Sequence, residues 1–360
     1  MTEKSAGTHE RIEGLDLLRG LAIGLVLVRH AWPELIGGGG IVGVVVFFAL
    51  SGYLITGILV SDIRSFGRVR YRRFYRNRIV RLIPALLVML SGFTLVALTK
   101  DPLGERPGIL NAWIVGLTYT ADLPFVHGSA SLGHLWTLAI EEQFYLVWPI
   151  VLVIGLKHGS LTRLLIYSAI AMLAACIVSM GITSPRIADI YKLPTSWAIT
   201  LLIGAAAYLQ REWLMNRLPR TGWVRAALSL CALAILFGIS LIPEAKNSPA
   251  AYLILGPAVA LLTVVLIFHL REWRKLPTVW LQPVLALGKI SYAAYLWNYP
   301  LAKWLAQYPW YTGRSWLSIV LTIAAATGSW WAVEKPISAW NKKRSAASGD
   351  SARLAMQSER

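Results

Sequence analysis

Long apolar segments separated by short polar loops make up nearly the whole chain. An α-helix needs about 20 apolar residues to cross the hydrocarbon core of a bilayer, and most of these segments approach that length. Because backbone polar groups must be satisfied within lipid, the pattern predicts an all-α, polytopic integral membrane helical bundle with about ten transmembrane helices. The predicted spans lie at about 14–33, 41–60, 79–99, 136–156, 164–181, 196–210, 223–242, 251–270, 289–306 and 316–333.

The apolar piece 109–125 is ambiguous, since Asn111, Asp122 and Pro124 interrupt it. Cytoplasmic loops of membrane proteins hold an excess of Lys and Arg. If the N-terminus is cytoplasmic and 109–125 does not cross, twenty-five basic residues fall in inside segments and six in outside loops. If 109–125 crosses, that bias nearly vanishes. We therefore predict that both termini are cytoplasmic and that 109–125 is an outer-surface or re-entrant piece.

Composition supports the membrane class, because the 360 residues are 56% hydrophobic and only 15% charged. A net charge of +17 would suggest nucleic acid for a soluble protein. Here the basic residues lie in short loops, so topology accounts for most of them and we expect no nucleic-acid partner. Cys176 and Cys231 lie in apolar runs without metal or redox spacing, so we expect buried, inert thiols and no metal.

Ionisable residues interrupt the first apolar segment, with Arg19 in its first third and Arg29–His30 near its far end. Arg19 and His30 are eleven residues apart, so at 100° per residue both lie on one helix face, about 16 Å apart along the axis. Each alone is also compatible with an ordinary interfacial side chain. Ionisable residues inside a membrane segment are nevertheless functional candidates that face a cavity.

The segment HLWTLAIEEQFYLVWP at 134–149 places Glu141 in the outer part of another predicted span, at a depth comparable with that of His30. A carboxylate there would accept the imidazole N–H, so we predict His30 and Glu141 as a catalytic general-base pair. Glu142 points about 100° away and is either spare or paired elsewhere. The alternative for Glu141 is a structural partner of a buried Arg or Lys.

Eight arginines lie between 64 and 81. Two of them, Arg78 and Arg81, are three residues apart, so they are neighbours on one helix face, and Pro84 follows them. Paired guanidinium groups suit a phosphate ligand better than lysines would. Contact with lipid headgroups is the alternative.

Two further segments contain unusual membrane residues. In VGVVVFFALSGYLIT at 42–56, the small residues Ala49, Ser51 and Gly52 predict close approach of another helix. The segment LGKISYAAYLWNYPL at 287–301 is rich in Tyr and Trp, which are typical of membrane interfaces. Asn298 lies near mid-membrane in it, and a lone amide in lipid needs a partner.

Taken together, these segments resemble the acyltransferase-3 family of bacterial integral-membrane O-acyltransferases. The resemblance covers the chain from about 14 to 336 and rests on six pieces in order. They are Arg19 with His30, the FFALSGYLIT run at 47–56, Arg78-x-x-Arg81 followed by Pro84, the segments 134–149 and 287–301, and VEKP at 333–336.

The resemblance implies an enzyme that moves an acyl group, often acetyl, from cytoplasmic acyl-CoA to a hydroxyl, usually of a carbohydrate. It implies His30 and Glu141 as catalytic residues, with Arg19, Arg78 and Arg81 binding the acyl donor. Acyl-CoA is then a co-substrate, and we expect no bound cofactor. The residues that we expect to line the cavity are Ser51, Tyr53, Trp136, Tyr145, Tyr292, Trp297 and Asn298.

We expect a cytoplasmic segment 1–13, a membrane acyltransferase domain 14–336 and a polar cytoplasmic tail 337–360, in the inner membrane of a bacterium. The chain ends soon after the last span, so we expect no fused outer esterase-like domain, and a separate extracytoplasmic partner would supply that step if it is needed. Two departures from the family pattern, Val45–Val46 where relatives often have an acidic residue and Asn298 where many have histidine, weaken any transfer of substrate preference.

Several alternatives stay open at this point. The acceptor is a cell-envelope glycan, such as O-antigen, exopolysaccharide or peptidoglycan, or else a small glycosylated metabolite resembling a macrolide. The reaction is direct transfer or a relay through acylated His30. A transporter or flippase would use the same intramembrane charges as an ion relay, but we find no internal repeat of the kind many transporters have. A non-catalytic scaffold is disfavoured because both His30 and Glu141 are present.

Overall fold

The computed structural model describes residues 12–126, 128–219, 221–243 and 245–340, and the regular structure of these ranges is helical. Most of the predicted segments 1–13 and 337–360 lies outside the described residues. The helices are α1 (Glu13–Ala31), α2 (Gly39–Phe66), α3 (Tyr71–Thr99), α4 (Ile109–Thr118), α5 (Trp136–Lys157), α6 (Leu161–Thr183), α7 (Pro194–Leu209), α8 (Arg211–Arg217), α9 (Gly222–Ser240), α10 (Gly256–Leu270), α11 (Gln282–Lys289), α12 (Ser291–Leu305) and α13 (Trp316–Ser329).

Each of the ten predicted spans coincides with one of these helices. Seven helical segments are long and apolar enough to cross a membrane, namely Gly39–Phe66, Tyr71–Thr99, Ala130–Lys157, Leu161–Thr183, Gly222–Ser240, Ala251–Leu270 and Trp316–Trp340. The other three predicted spans do not meet these criteria of length and apolarity: α1 contains Asp16, Arg19 and Arg29, whereas α7 and α12 have only 16 and 15 residues. The protein is therefore a multi-pass membrane protein, while the count of about ten spans and the cytoplasmic termini stay predictions.

The ambiguous piece 109–125 contains the short helix α4. Its ten residues extend about 15 Å, roughly half of the hydrocarbon thickness of a bilayer. The chain after α4 continues through turns to the short 3₁₀-helix Ala130–Leu135, which leads directly into α5. This length agrees with the prediction that 109–125 does not cross.

The centre of the bundle is α2, which packs against α1, α5, α7, α9 and α10. Its apolar stretch is 72% buried, whereas those of α6 and α9 are only 11% and 17% buried, so α6 and α9 form the rim. Both cysteines lie on these rim helices. Cys176 of α6 is buried as predicted, but the expectation for Cys231 of α9 is wrong, because its side chain is exposed.

Two apolar cores flank the middle of the molecule. The larger core is built around α2, with α5, α7 and α10, and the smaller one joins α3 and α4 to α12. A third small cluster, which includes Ile23, Leu27, Ala293 and Ala326, holds α1 against α12 and α13. The packing of α1 on α12 brings the C-terminal parts of these two helices together.

Glycines allow α2 and α7 to cross in close contact. A Cβ atom at Gly52 would lie 1.9 Å from the carbonyl oxygen of Leu201, and one at Gly204 would lie 1.9 Å from that of Ala49. Neither distance is sterically possible, so only glycine permits this crossing. The close approach predicted from Ala49, Ser51 and Gly52 is therefore confirmed.

We expect Gly204→Ala to destabilise the protein by about 2 kcal/mol, because the new methyl group forces α2 and α7 apart. The matched control is Gly24→Ala in α1, where a Cβ meets nothing within 4 Å. Thermal unfolding of both variants in detergent, followed by loss of the monodisperse chromatographic peak, measures the difference. Equal midpoints for the two variants would contradict the close α2–α7 packing.

Candidate active site

His30 lies in the last turn of α1, half-buried, where it faces α12. Its Nδ1–H donates a hydrogen bond to the side-chain oxygen of Asn298. An amide oxygen only accepts, so this contact places the imidazole proton on Nδ1. The other ring nitrogen, Nε2, consequently has a free lone pair, as a general base or nucleophile requires.

Asn298 is itself fixed by a chain of hydrogen bonds. It is fully buried in α12, and its amide nitrogen donates to the hydroxyl of Thr322 on α13 at 3.4 Å. Thr322 in turn donates to the backbone oxygen of Ser318 at 2.6 Å. The lone amide thus has partners on both sides, and this chain sets the orientation and tautomer of His30.

Two aromatic side chains without a predicted role complete the surroundings of His30. The Tyr299 ring meets the His30 ring edge-on, with centroids 5.1 Å apart, and lies 5.3 Å from the ring of His134. His134 is buried, and its Nε2–H donates to the backbone oxygen of Leu296 at 3.1 Å. Both residues lie in the segments singled out from the sequence, but nothing in the spacing indicates that Tyr299 would contact His30 and His134 together.

Glu141 has a different partner from the predicted one. Its carboxylate accepts a hydrogen bond from the Ser51 hydroxyl of α2 at 2.8 Å. The imidazole N–H that it was predicted to accept is instead bonded to Asn298. The predicted hydrogen bond between Glu141 and His30 is therefore replaced by two separate contacts.

The adjacent carboxylate, Glu142, is paired rather than spare. It accepts from the Arg78 guanidinium of α3 at 2.8 Å, and both side chains are largely buried, at 22% and 15% exposed. The guanidinium also lies over the ring of Tyr145, 3.5 Å from its centroid. Arg78, predicted to bind the acyl donor, thus has a carboxylate and an aromatic ring as partners in this structure.

The contacts of α12 with α3 show that the two helices run in the same direction. Near the start of α12, the hydroxyl of Tyr292 donates to the backbone oxygen of Leu82 at 3.1 Å. Further along, the Trp297 indole packs over Gly92, where a Cβ would lie 2.3 Å from the ring. Residue numbers therefore rise together along the two helices.

The contacts of α5 with α3 show the opposite direction. The Tyr75 hydroxyl donates to the backbone oxygen of Tyr145 at 3.2 Å, and Arg78 pairs with Glu142. Residue numbers rise along α3 as they fall along α5, so α5 runs antiparallel to α3 and also to α12.

This antiparallel arrangement separates the two predicted catalytic residues. The Tyr295 hydroxyl of α12 accepts from Thr137 of α5 at 2.6 Å, which places these two residues at one level. Asn298 lies three residues beyond this contact, and Glu141 lies four residues away in the other direction. At 1.5 Å per residue, Glu141 is roughly 10 Å along the helix axes from the level of Asn298 and its partner His30. The prediction of a common depth is wrong in this geometry.

The remaining predicted donor-binding residues also have local partners. Arg19 donates to Asp16 one turn earlier, at 2.8 Å. Arg81 lies within electrostatic range of Glu141 and of Glu334, the glutamate of the VEKP piece. The structure thus brings the Arg-x-x-Arg and VEKP pieces together, and Glu334 is a site candidate that sequence reasoning left without a role.

The residues predicted to line the cavity divide into two groups. Ser51, Tyr145, Tyr292 and Asn298 touch the groups described above. Three others have separate surroundings. Tyr53 accepts from Arg271 at 3.0 Å, Trp136 packs at 5% exposure against Phe48, Tyr191 and Trp197, and Trp297 packs over Gly92.

A cavity of about 390 Å³ lies between the predicted outer loops and is lined by Tyr299, whose ring contacts that of His30. We call it the outer cavity. Tyr299 therefore connects this cavity to His30, which is not itself one of the lining residues. Its polar lining consists of Tyr299, Lys303, Lys192, Asp122, Asp189 and Ser129.

A second cavity of about 810 Å³ lies at the opposite end of the bundle, where α2, α3 and α5 meet. We call it the inner groove. Arg70 in it is paired with Asp62 at 2.9 Å, whereas Arg68, Arg72 and Arg73 are exposed. Its walls include Val153 and other apolar side chains. Within the described ranges, no three His, Cys, Asp or Glu side chains are grouped to hold a metal ion.

Comparison with known proteins places this arrangement in context. The chain is 31% identical over 326 residues to the putative peptidoglycan O-acetyltransferase YrhL of Bacillus subtilis, covering 81% of the chain and 49% of that protein. It is 30% identical over 324 residues to the peptidoglycan O-acetyltransferase OatA of Listeria monocytogenes, covering 82% and 50%. For the O-acetyltransferase OatA of Staphylococcus aureus, the identity is 28% over 353 residues, covering 91% and 57%.

The chain spans about half the length of the curated relatives that it matches. No solved structure shows significant similarity to it. A sequence model described as an acyltransferase domain matches residues 12–334, which include every motif piece discussed above except the last residues of VEKP. On this match, the chain belongs to the acyltransferase-3 family of bacterial integral-membrane O-acyltransferases.

Proposed function

We propose that the protein transfers an acetyl group from acyl-CoA to a hydroxyl of a cell-envelope glycan, with peptidoglycan as the first candidate. The observation that supports this most directly is the setting of His30. Asn298 binds its Nδ1–H, which leaves a lone pair on Nε2, and its ring contacts Tyr299, which lines the outer cavity. The names of the relatives, which are O-acetyltransferases and in two cases peptidoglycan O-acetyltransferases, support the acyl group and the acceptor class.

In the proposed reaction, Nε2 of His30 removes the proton from an acceptor hydroxyl while the oxygen of that hydroxyl attacks the thioester carbonyl carbon. The new C–O bond forms, the C–S bond breaks, and the CoA thiolate takes the proton back from the imidazolium. Asn298 supports the charged intermediate, because its oxygen accepts the Nδ1–H that becomes more acidic.

A relay uses the same nitrogen. Nε2 of His30 would attack the thioester first and release CoA, and the acceptor hydroxyl would then take the acyl group from the imidazole. Nδ1–H stays bonded to Asn298 in both routes. A burst of CoA equal to the enzyme concentration, without acceptor, distinguishes the relay from direct transfer.

We assign the donor to the inner side of His30. Glu141, Arg78 and Arg81 lie on that side, and the inner groove offers exposed guanidinium groups at the predicted cytoplasmic surface. Arg19 and Arg78 would exchange their carboxylate partners for donor phosphates. In this proposal Glu141 lies on the donor side of His30, where its carboxylate accepts the hydrogen bond from the Ser51 hydroxyl.

This proposal includes a location. We place the protein in the bacterial inner membrane with ten spans and both termini in the cytoplasm, so that acyl-CoA arrives from inside and the glycan from outside. A separate extracytoplasmic partner would complete delivery to polymeric glycan if the protein alone acylates only short fragments.

The test uses the purified protein in nanodiscs with radiolabelled acetyl-CoA and a disaccharide of N-acetylglucosamine and N-acetylmuramic acid. We expect CoA release that depends on protein and a labelled disaccharide whose label is removed by mild alkali, as an O-acetyl ester requires. Absence of both products with acetyl-CoA and with longer acyl-CoA donors would overturn the proposal.

A further inference from the structure

Two lysines at the outer cavity lack a negative partner. Lys192 and Lys303 are both exposed and line this cavity. Neither forms an ion pair with any other residue that the structure describes. Each ammonium group is therefore available to an anion that enters the cavity.

Both lysines flank the side chain that connects the cavity to His30. The Lys303 ammonium lies 5.5 Å from the centroid of the Tyr299 ring. At Gly133, a Cβ atom would lie 3.7 Å from Lys192 Nζ and 3.9 Å from the Tyr299 hydroxyl. The missing side chain of Gly133 thus leaves a space where one ammonium group and the tyrosine hydroxyl converge.

The acidic residues of the cavity are already engaged. Asp189 pairs with Arg186 at 3.4 Å. Asp122 is only 2% exposed, and its carboxylate accepts two hydrogen bonds from Gln143, at 2.9 and 3.1 Å. Burial also raises the pKa of the Asp122 carboxyl. Both carboxyl groups thus have partners within the protein, whereas the two ammonium groups have none among the described acidic residues.

Further positive charge surrounds His30 itself. Arg29 and Lys303 both act electrostatically on its ring, and Arg29 is held in place by a hydrogen bond to the backbone oxygen of Gly37 at 2.8 Å. A neutral sugar can only accept hydrogen bonds from these cations, whereas a carboxylate close to the reacting hydroxyl also gains the Coulomb attraction of all of them.

We propose that the outer cavity binds the acceptor as an acidic glycan, with a carboxylate held between Lys192 and Lys303 and the reacting hydroxyl beside Tyr299, toward His30. This inference rests on the proposed function, because it names the acceptor class of the same site. It goes further in requiring that the acceptor be charged, which O-acylation does not demand.

The test compares two probes with the same hydroxyl groups. One is the disaccharide of N-acetylglucosamine and N-acetylmuramic acid with its free lactyl carboxylate, and the other is the neutral methylamide of that disaccharide. Binding to the full protein in nanodiscs of neutral lipid is measured by calorimetry without acyl donor, so it does not depend on turnover.

We expect the acidic disaccharide to bind roughly tenfold more tightly than its methylamide, as one or two charge-assisted contacts would give. The double variant Lys192→Gln/Lys303→Gln should remove this difference, and Lys192→Arg/Lys303→Arg should keep most of it. Lys246→Gln, an exposed lysine of another predicted outer loop, is the matched control and should leave it unchanged.

Equal binding of the two probes to the wild-type protein would overturn the proposal. So would a double variant that weakens both probes equally, or one that affects binding only in nanodiscs containing phosphatidylglycerol, since the lysines would then serve lipid headgroups. If charge discrimination is present but no acetyl transfer occurs with either probe, the acidic-ligand site stands and the proposed function fails.

Discussion

Replacing His30 by alanine should abolish acyl transfer while leaving the folded protein intact. The side chain is half-buried at a helix end, and its one described hydrogen bond is to Asn298, so its loss leaves the α1–α12 packing in place. The variant loses Nε2 of His30, whose lone pair is not used in the bond to Asn298 and which belongs to the ring in contact with Tyr299 of the outer cavity. General-base catalysis contributes about 10²- to 10⁴-fold, and loss of a nucleophile contributes at least as much.

The measurement is the rate of CoA release and of disaccharide acetylation by His30→Ala in nanodiscs. His158→Ala is the matched control, because His158 is exposed at the end of α5, far along that helix from Glu141. We expect a loss of at least 100-fold for His30→Ala and an unchanged rate for the control. Retention of more than a tenth of the wild-type rate would remove His30 from its assigned role.

A second comparison separates catalysis from stability. Both histidine variants should unfold within a few degrees of the wild-type protein, since neither removes a core side chain. A His30→Ala variant that loses its monodisperse peak in detergent would show a structural role instead, and its lost activity would then say nothing about chemistry.

The fold was predictable because each apolar run is long enough to define a helix by itself. All ten predicted spans coincide with helices, and the short helix α4 marks the piece that was expected not to cross. Helix length does not establish every membrane crossing, however. The helices α7 and α12 are too short to prove a crossing, so their assignment depends on loop charge rather than on the helices themselves.

Partners between helices were predictable only in part. The requirement that Asn298 have a partner followed from a lone amide in lipid, but the partner is 268 residues away in the chain, and periodicity within one helix does not show which helix it meets. Likewise, spacing placed Glu142 about 100° from Glu141 but could not show that Arg78 would meet it.

The predicted His30–Glu141 pair failed for a different reason. It assumed that counting residues from the end of a helix gives depth in the membrane. The chain enters α5 through the 3₁₀-helix Ala130–Leu135, and the antiparallel contact of Thr137 with Tyr295 sets the level of α5. Depth is therefore decided by packing, which a single sequence does not state.

Replacing Asn298 by leucine should reduce transfer about 100-fold or more, because the reactive imidazole loses the group that sets its tautomer. Leucine has the same number and branching of side-chain heavy atoms but cannot accept from Nδ1–H of His30, so the proton is free to move to Nε2 and occupy the reactive lone pair. Asn298 touches no substrate in this scheme and is a positioning residue. The reduction should therefore appear in kcat, with little change in KM for acetyl-CoA or disaccharide.

The tautomer itself gives a readout that a structural role would not change. With ¹⁵N-labelled histidine, the His30 signal, assigned by its absence in His30→Gln, should report Nδ1–H in the wild-type protein and a mixture in Asn298→Leu. Thr322→Val is the graded control, because it removes only the contact behind Asn298 and should reduce kcat by less than tenfold.

A histidine at position 298 provides the rescue. In Asn298→His, a ring nitrogen can accept from Nδ1–H of His30 just as the amide oxygen does, so we expect it to restore most of the activity that leucine removes. Full activity in Asn298→Leu, or an unchanged His30 signal in that variant, would show that the hydrogen bond has no part in catalysis. If Asn298→Leu and Asn298→His both lose activity while His30 keeps its wild-type tautomer in both, the role of Asn298 would instead be in packing between α12 and α13.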